Sequence, residues 1–345
     1  MPSINAFPLE PNSRQEPCAN SRQGLNPSQR RYGKQENKEG DNSVDVAHIS
    51  SVLKKSLSET LTHYYPLAGR IKDGVTVECN DEGAYFSEAR VDCHLEGFLK
   101  HPEARDDVDL IVPGEIQSNS SDMGNYSDHL FQLWRNCDWA ALGALKAMAT
   151  QSGVENPTRV EVVAALIYRC AVDASKVSSG SLKPSVLRQI MNLRKKIVPP
   201  LPEKSFGNIL WTYGIHTTPR HEFHASVGQL KAGLAHFCDT YGKNFTGQEL
   251  IRLMFKEEAK SAHSNDNHHV NMYRCTSWCR SSLYQTDFGW GKPIWLSPTG
   301  VGSKNIICLT DTREGDGIEA FVTLEEQEMA VFERDEELLP FSSLN

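Results

Sequence analysis

The stretch NPTRVEVVAALIYRC, residues 156–170, gives two signals at once. Thr158 followed by Glu161 makes a capping box, in which each side chain satisfies a backbone donor where a helix begins. From Val162 the run VVAALIYRCAV is apolar on nearly every face. A helix with no polar stripe must be buried all round. The flanking sequence supplies what covers it. VLRQIMNLR (186–194), ILWTYGI (209–215), IICLTD (306–311) and GIEAFVTL (317–324) read as strands, and 222–238 and 247–262 read as helices. Thr323 with Glu326 predicts a capped final helix to about Arg334. Strands and helices mix and no repeat recurs, so the fold class is α/β.

Upstream of that helix, Val46, Ile49, Leu53, Leu57 and Leu61 recur at helical spacing. The helix should stop before Pro66, since a residue preceding proline avoids helical angles. VTVEC (75–79) and AYFSEARVD (84–92) suggest strands joined by a turn over Asn80–Gly83, and DLIVP (109–113) suggests another. Residues 114–128 are polar and without period. FQLWRNCDWAALGALKAMATQSG (131–153) then reads as helical. Residues 1–43 are rich in Asn, Gln, Ser, Arg and Gly, and cannot bury enough apolar surface to offset their ordering entropy. The expected organisation is a disordered arm over 1–43, a first domain over 44–128 and a second over 129–345.

Composition narrows the function. A net charge of −8 argues against a general nucleic-acid or anionic-membrane partner, because both need a basic field. No apolar run approaches the ~20 residues that span a bilayer. The opening MPSINAFPLEPNSRQEPC has no basic region followed by an apolar one, so no secretory signal is expected. Nine cysteines are odd in number and scattered, and the spacing of Cys275 and Cys279 does not suit a zinc knuckle. Free thiols fit a reducing compartment, which makes the cytoplasm the expected location. Six tryptophans share no strand face and are expected in the core.

Reactive groups are harder to find. There is no glycine-rich phosphate loop, no nucleophile elbow and no zinc-binding spacing, so no bound cofactor and no metal are expected. EGDGIE (314–319) sets glycines beside acids that repel phosphate and reads as a turn. His268 and His269 sit in a polar loop, a poor place to tune a catalytic base. His221, His224 and His236 lie on or near a helix with no acid at a useful spacing, and His63 stands at a helix end.

Five blocks, in order, resemble the plant BAHD acyltransferases, with the vinorine-synthase-like branch most similar. They are LKKSLSETLTHYYPLAGRI (53–71), NPTRVEVVAALIYRC, NLRKKIVPPLPEKSFGNI (192–209), SWCRSSLYQTDFGWGKPIW (277–295) and GIEAFVTLEEQEMAVFERDEELL (317–339). The resemblance implies a two-domain mixed-sheet sandwich of the chloramphenicol-acetyltransferase type, with a channel between the domains. Acyl-CoA is the implied co-substrate and a plant alcohol such as an alkaloid the implied acceptor. Transfer is direct, most simply of an acetyl group, and the protein is expected to be monomeric. In the family a histidine of an H-x-x-x-D motif removes the acceptor's hydroxyl proton, because a neutral hydroxyl attacks a thioester poorly and imidazole is poised to take its proton near pH 7.

The same resemblance assigns Ser205, Phe206, Gly207 and Asn208 to the acyl-CoA side of the channel, and Arg194 to pairing with the motif aspartate. Asp287, Phe288, Gly289, Trp290 and Gly291 form a structural turn. Its glycines allow unusual backbone angles or close approaches, and Trp290 is a large apolar anchor. The H-x-x-x-D motif, however, is absent. The fourth residue after each of the twelve histidines is never Asp; His236 leads to Thr240, His263 to Asn267 and His268 to Met272. In the family the motif lies between the segments resembling DLIVP and CDWAALGALKAMA, where this chain has only the polar break. The first domain is therefore expected to be incomplete, and Arg194 to seek another carboxylate or water.

Overall fold

A computed structural model describes residues 46–73, 76–86, 88, 130–202, 204–216, 222–242, 248, 252–253, 270–298 and 303–344. The expected arm, the DLIVP strand, the polar break, His221, His268, His269 and most of the helix expected at 247–262 lie outside the described residues. The chain divides into two compact units. One is Met1–Ile116 with Phe288–Gly291; the other is Gln117–Asp287 with Lys292–Asn345.

In the first unit α1 (Val46–His63) runs to the residues before Pro66, which opens a one-turn helix over Tyr65–Ala68. Strand β1 (Arg70–Lys72) pairs antiparallel with β2 (Thr76–Glu78), with Ile71 opposite Val77. The expected hairpin through Asn80–Gly83 does not form. Asp73, at φ 55°, turns the chain earlier. Residues 80–83 fold back instead: the Gly83 N–H donates to the Ala68 carbonyl at 2.9 Å. Arg70 holds the Gly83 carbonyl at 2.8 Å and Glu82 at 2.8 Å.

The second unit is a seven-stranded sheet in the order β5-β4-β6-β7-β8-β3-β9. Its strands are β3 (Leu130–Cys137), β4 (Ser185–Asn192), β5 (Leu210–His216), β6 (Asn271–Ser277), β7 (Ile306–Asp311), β8 (Ile318–Glu325) and β9 (Ser343–Leu344). β4, β6 and β7 are parallel neighbours and the other pairs are antiparallel. The helices are α2 (Trp139–Gln151), α3 (Arg159–Ala174), the single turn α4 (Lys176–Ser179), α5 (Phe223–Tyr241) and α6 (Glu326–Phe332). Among the described residues no helix is long and apolar enough to cross a membrane.

The capping box of α3 forms as read. The Glu161 N–H donates to Thr158 Oγ1 at 3.2 Å, and the Thr158 N–H to Glu161 Oε2 at 2.8 Å. Val162, Ala164, Ala165, Tyr168, Ala171 and Val172 of this helix are wholly buried, against Leu187, Tyr273, Ile307, Ile318 and Val322 of the sheet. Tyr168 meets Tyr273 edge-on at 5.3 Å, and Tyr273 donates to the Ala171 carbonyl at 3.2 Å. Helices α2, α5 and α6 send Leu145, Leu230 and Phe332 into the same core. Among the described residues, α2, α3, α5 and α6 thus lie on one face of this sheet. On the other face Trp295 packs on Cys308 and Phe321.

Two local readings fail for tertiary reasons. Residues 130–137 form a strand, not the start of a helix, because they pair with β8 along eight positions from Leu130↔Glu325 to Cys137↔Ile318. The helix begins only after Asp138, whose carboxylate accepts from the Ala141 N–H at 2.8 Å. Likewise Thr323 stays in β8, opposite Gln132 and Ile306, so the expected cap of the last helix gives way to sheet pairing. That helix starts at Glu326 without a side-chain cap.

Candidate functional site

The residues expected on the acyl-CoA side are organised by Arg194. Strand β4 ends at Asn192, and Leu193 plugs a small core with Met191, Ile197 and Phe237. Burying Leu193 points the next residue outward. The Arg194 guanidinium then donates from Nε to the Ser205 carbonyl at 3.0 Å and from Nη2 to the Gly207 carbonyl at 2.7 Å. Asn192 Oδ1 accepts from the Arg194 N–H at 3.0 Å and from Nη1 at 3.3 Å. In place of the expected carboxylate, Arg194 thus holds two carbonyls of the loop and the side-chain oxygen of Asn192. Gly207, at φ 129°, adopts an angle that side chains resist, while Phe206 and Asn208 are exposed. The structure thus brings Arg194 together with Ser205 and Gly207 and turns the loop into a braced edge.

Asp287 follows a single helical turn, Leu283–Gln285. Gly289 and Gly291 both have φ 105°, and a Cβ added to either would meet nothing within 4 Å. Backbone angle, and not crowding, is what demands glycine there. Phe288 and Trp290 stack on each other at 5.7 Å and 22°. Each is more than two-fifths exposed, so Trp290 anchors on its neighbour's ring and not in a core.

A pocket of about 230 Å³ lies between the segments Arg280–Gln285 and Thr310–Gly315. Asp311 braces it, taking Arg159 Nη2 on Oδ1 at 2.9 Å and the Arg280 N–H on Oδ2 at 2.5 Å. Tyr284 lines the pocket and donates to Glu319 Oε2 at 3.0 Å. Burial pushes the Glu319 carboxyl up to about 7, against the pull of the Tyr284 hydrogen bond. Burial also raises the Tyr284 hydroxyl, helped by the Glu319 charge. A carboxyl that exchanges its proton near neutrality is chemically notable. The sequence reading passed over it; the signal was a lone acid inside the otherwise apolar strand IEAFVTL.

The histidines are less promising. His224 Nε2 lies 3.2 Å from Glu222 Oε2 at the exposed start of α5, a pairing that the spacing had hidden. His236 Nδ1 meets Thr240 Oγ1 at 3.4 Å on the same helix. Among the described residues no group of His, Cys, Asp or Glu is placed to hold a metal ion.

Comparison with known proteins sets this geometry in context. A family model described as "Transferase family" matches residues 38–124 and 126–339. The chain is 35% identical over 378 residues to the 17,18-epoxy-17-hydroxycur-19-ene N-malonyltransferase of Strychnos nux-vomica, covering 88% of this chain and 81% of that protein. It is 32% identical over 376 residues to akuammiline synthase 1 of Alstonia scholaris, covering 88% of each. Both alignments are longer than the 345-residue chain, so part of each relative faces gaps in it. Among solved structures, vinorine synthase superposes with a TM-score of 0.61 at 24% identity over 88% of each chain. The fold is therefore shared: the mixed α/β architecture that the sequence implied.

Proposed function

We propose, from the premise that this chain belongs to the Transferase family of plant BAHD acyltransferases, that it is an acyl-CoA-dependent O-acyltransferase by descent whose turnover is suppressed. Its donor is an acyl-CoA, most simply acetyl-CoA, and its acceptor the hydroxyl of a plant specialised metabolite of the alkaloid type. Relatives named as O-acetyltransferases support acetyl transfer to a hydroxyl, while the relative named as an N-malonyltransferase makes a nitrogen acceptor and a malonyl donor the first alternatives to test. It acts in the cytoplasm as a monomer, with no bound cofactor and no nucleic-acid or membrane partner. Ser205, Phe206, Gly207 and Asn208 edge the acyl-CoA side, and Arg194 keeps that edge in shape. Residues 44–128 form a truncated first domain.

One observation carries the suppression: none of the twelve histidines is followed at the fourth position by Asp. Direct transfer breaks the thioester C–S bond, forms an ester C–O bond and passes the acceptor's hydroxyl proton, by way of the base, to the leaving CoA thiolate, which departs as free CoA. Removing the general base for that proton costs ~10²–10⁴ in rate. Glu319 has a suitable proton affinity, yet it is 5% exposed and receives the Tyr284 hydroxyl, so it does not replace the base.

The test is to incubate the purified full chain with acetyl-CoA and a panel of alkaloid alcohols and to follow free CoA, with akuammiline synthase 1 alongside. Release slower by ~10²-fold or more is expected; release at the relative's rate would sink the proposal. A second reading, a non-catalytic relative that binds CoA or a hydrophobic ligand, is favoured by the alignment gaps. Calorimetry decides it: CoA binding with no release above blank supports this reading, and no binding removes the CoA version.

A further inference from the structure

Two arginines stand side by side on the face of the second unit's sheet opposite α2, α3, α5 and α6. Arg188 on β4 and Arg274 on β6 are Cα partners in a parallel pair. Their chain neighbours fix their direction. Leu187, Gln189, Tyr273 and Cys275 are buried on the helix side, and successive strand residues alternate faces. Arg188 and Arg274 therefore share the opposite face, one strand spacing of roughly 4.8 Å apart. Gly214, beside Arg188 on β5, adds no side chain to this row, and Ile306 follows Arg274 on β7.

No carboxylate among the described residues answers these two charges. Of the acids on this face of β8, Glu319 is held by Tyr284 and Glu325 by Lys304 at 2.5 Å. Neither guanidinium has a hydrogen bond or ion pair with another described side chain. Like charges set opposite in a sheet repel. In a chain of net charge −8, two adjacent cations without an acid are unexpected on composition. Each guanidinium is a rigid fork of N–H donors matched to oxyanions. Two forks rising from neighbouring strands offer donors to every free oxygen of one phosphate or carboxylate, and neutralise its charge.

We propose that Arg188 and Arg274 form a binding site for the oxyanion, phosphate or carboxylate, of a small molecule on the face of the sheet opposite α3, at the exposed Arg274. The site lies wholly in the second unit and requires no acyl transfer, so it stands or falls apart from the proposed function.

Calorimetric titration of the full chain with inorganic pyrophosphate, and separately with malonate, distinguishes the two sources of the anion. At least one should bind, and affinity should fall as salt screens the charges. Arg188→Gln and Arg274→Gln should each weaken it on the order of tenfold. The bound anion should also raise the melting temperature of the wild type and leave that of the double variant unmoved. Arg274 is exposed, so the R274Q variant keeps the test available if the double variant does not fold. Failure of both anions to bind at millimolar concentration, or binding that survives the substitutions, overturns the site.

Discussion

Replacing Glu319 with Gln should remove a pH dependence of stability that the wild type carries. Glu319 is 5% exposed, and burial lifts its carboxyl from the ordinary 4.5 to about 7. The folded chain therefore holds this proton more tightly than the unfolded chain. The resulting contribution to stability is complete below about pH 4.5 and is lost as pH rises through about 7. At ~1.4 kcal/mol per pKa unit the full swing is about 3 kcal/mol, of which about 2 falls between pH 5.5 and 8. In the E319Q variant the amide oxygen can still accept from Tyr284, but there is no proton to lose. Urea unfolding followed by tryptophan fluorescence at pH 5.5 and 8 reads the effect. The difference between wild type and variant should shift by about 2 kcal/mol between the two pH values, in the variant's favour at pH 8. Because a constant cost of the substitution cancels, only the shift matters. Parallel pH dependence in the two proteins would refute the raised pKa and the burial argument behind it.

Two further outcomes follow from the packing. Arg194→Lys replaces a fork with a point charge and should loosen the 205–209 loop at a cost of about 1–2 kcal/mol; hydrogen exchange should speed up there and stay unchanged in α3, and equal protection in the loop would show that the guanidinium bonds do not brace it. Burial pushes the thiols of Cys137 and Cys308 up to about 12 and also raises those of Cys170 and Cys275. At pH 8 a thiol of pKa 12 is only ~10⁻⁴ thiolate, so among the seven described cysteines mass spectrometry after brief iodoacetamide treatment should find the half-buried Cys79 and Cys238 labelled before the buried four; labelling of Cys275 ahead of them would contradict the closed core.

What the sequence disclosed follows the range of the forces involved. The cap and burial of α3 were legible because a capping box is a contact within four residues and an apolar helix has one place to go. β4, β5, β7 and β8 were legible from short β-branched and aromatic runs between turn signals. β3 was not, since LFQLWRNC becomes a strand only by pairing with residues 318–325, far along the chain. The exposed Trp139, Trp278 and Trp290 were read as core for a similar reason: hydrophobicity states a preference, while available neighbours decide burial. At the site, the SFGN loop and the glycines of the DFGWG turn were visible as motifs. The grip of Arg194 on two carbonyls, the Glu319–Tyr284 pair and the Arg188–Arg274 row all depend on register, which no single segment encodes.

The threading of the second sheet carries a last consequence. β3 is its earliest strand, and the six others all come later in the chain. Among the described residues, no strand before residue 130 joins this sheet. A lineage can rewrite, shorten or splice the preceding sequence without unpicking one rung of this ladder, much as a cassette tolerates changes to its leader tape. The pairing of the second sheet is thus written entirely within residues 130–344, so changes upstream reach it only through packing and not through its hydrogen-bond ladder.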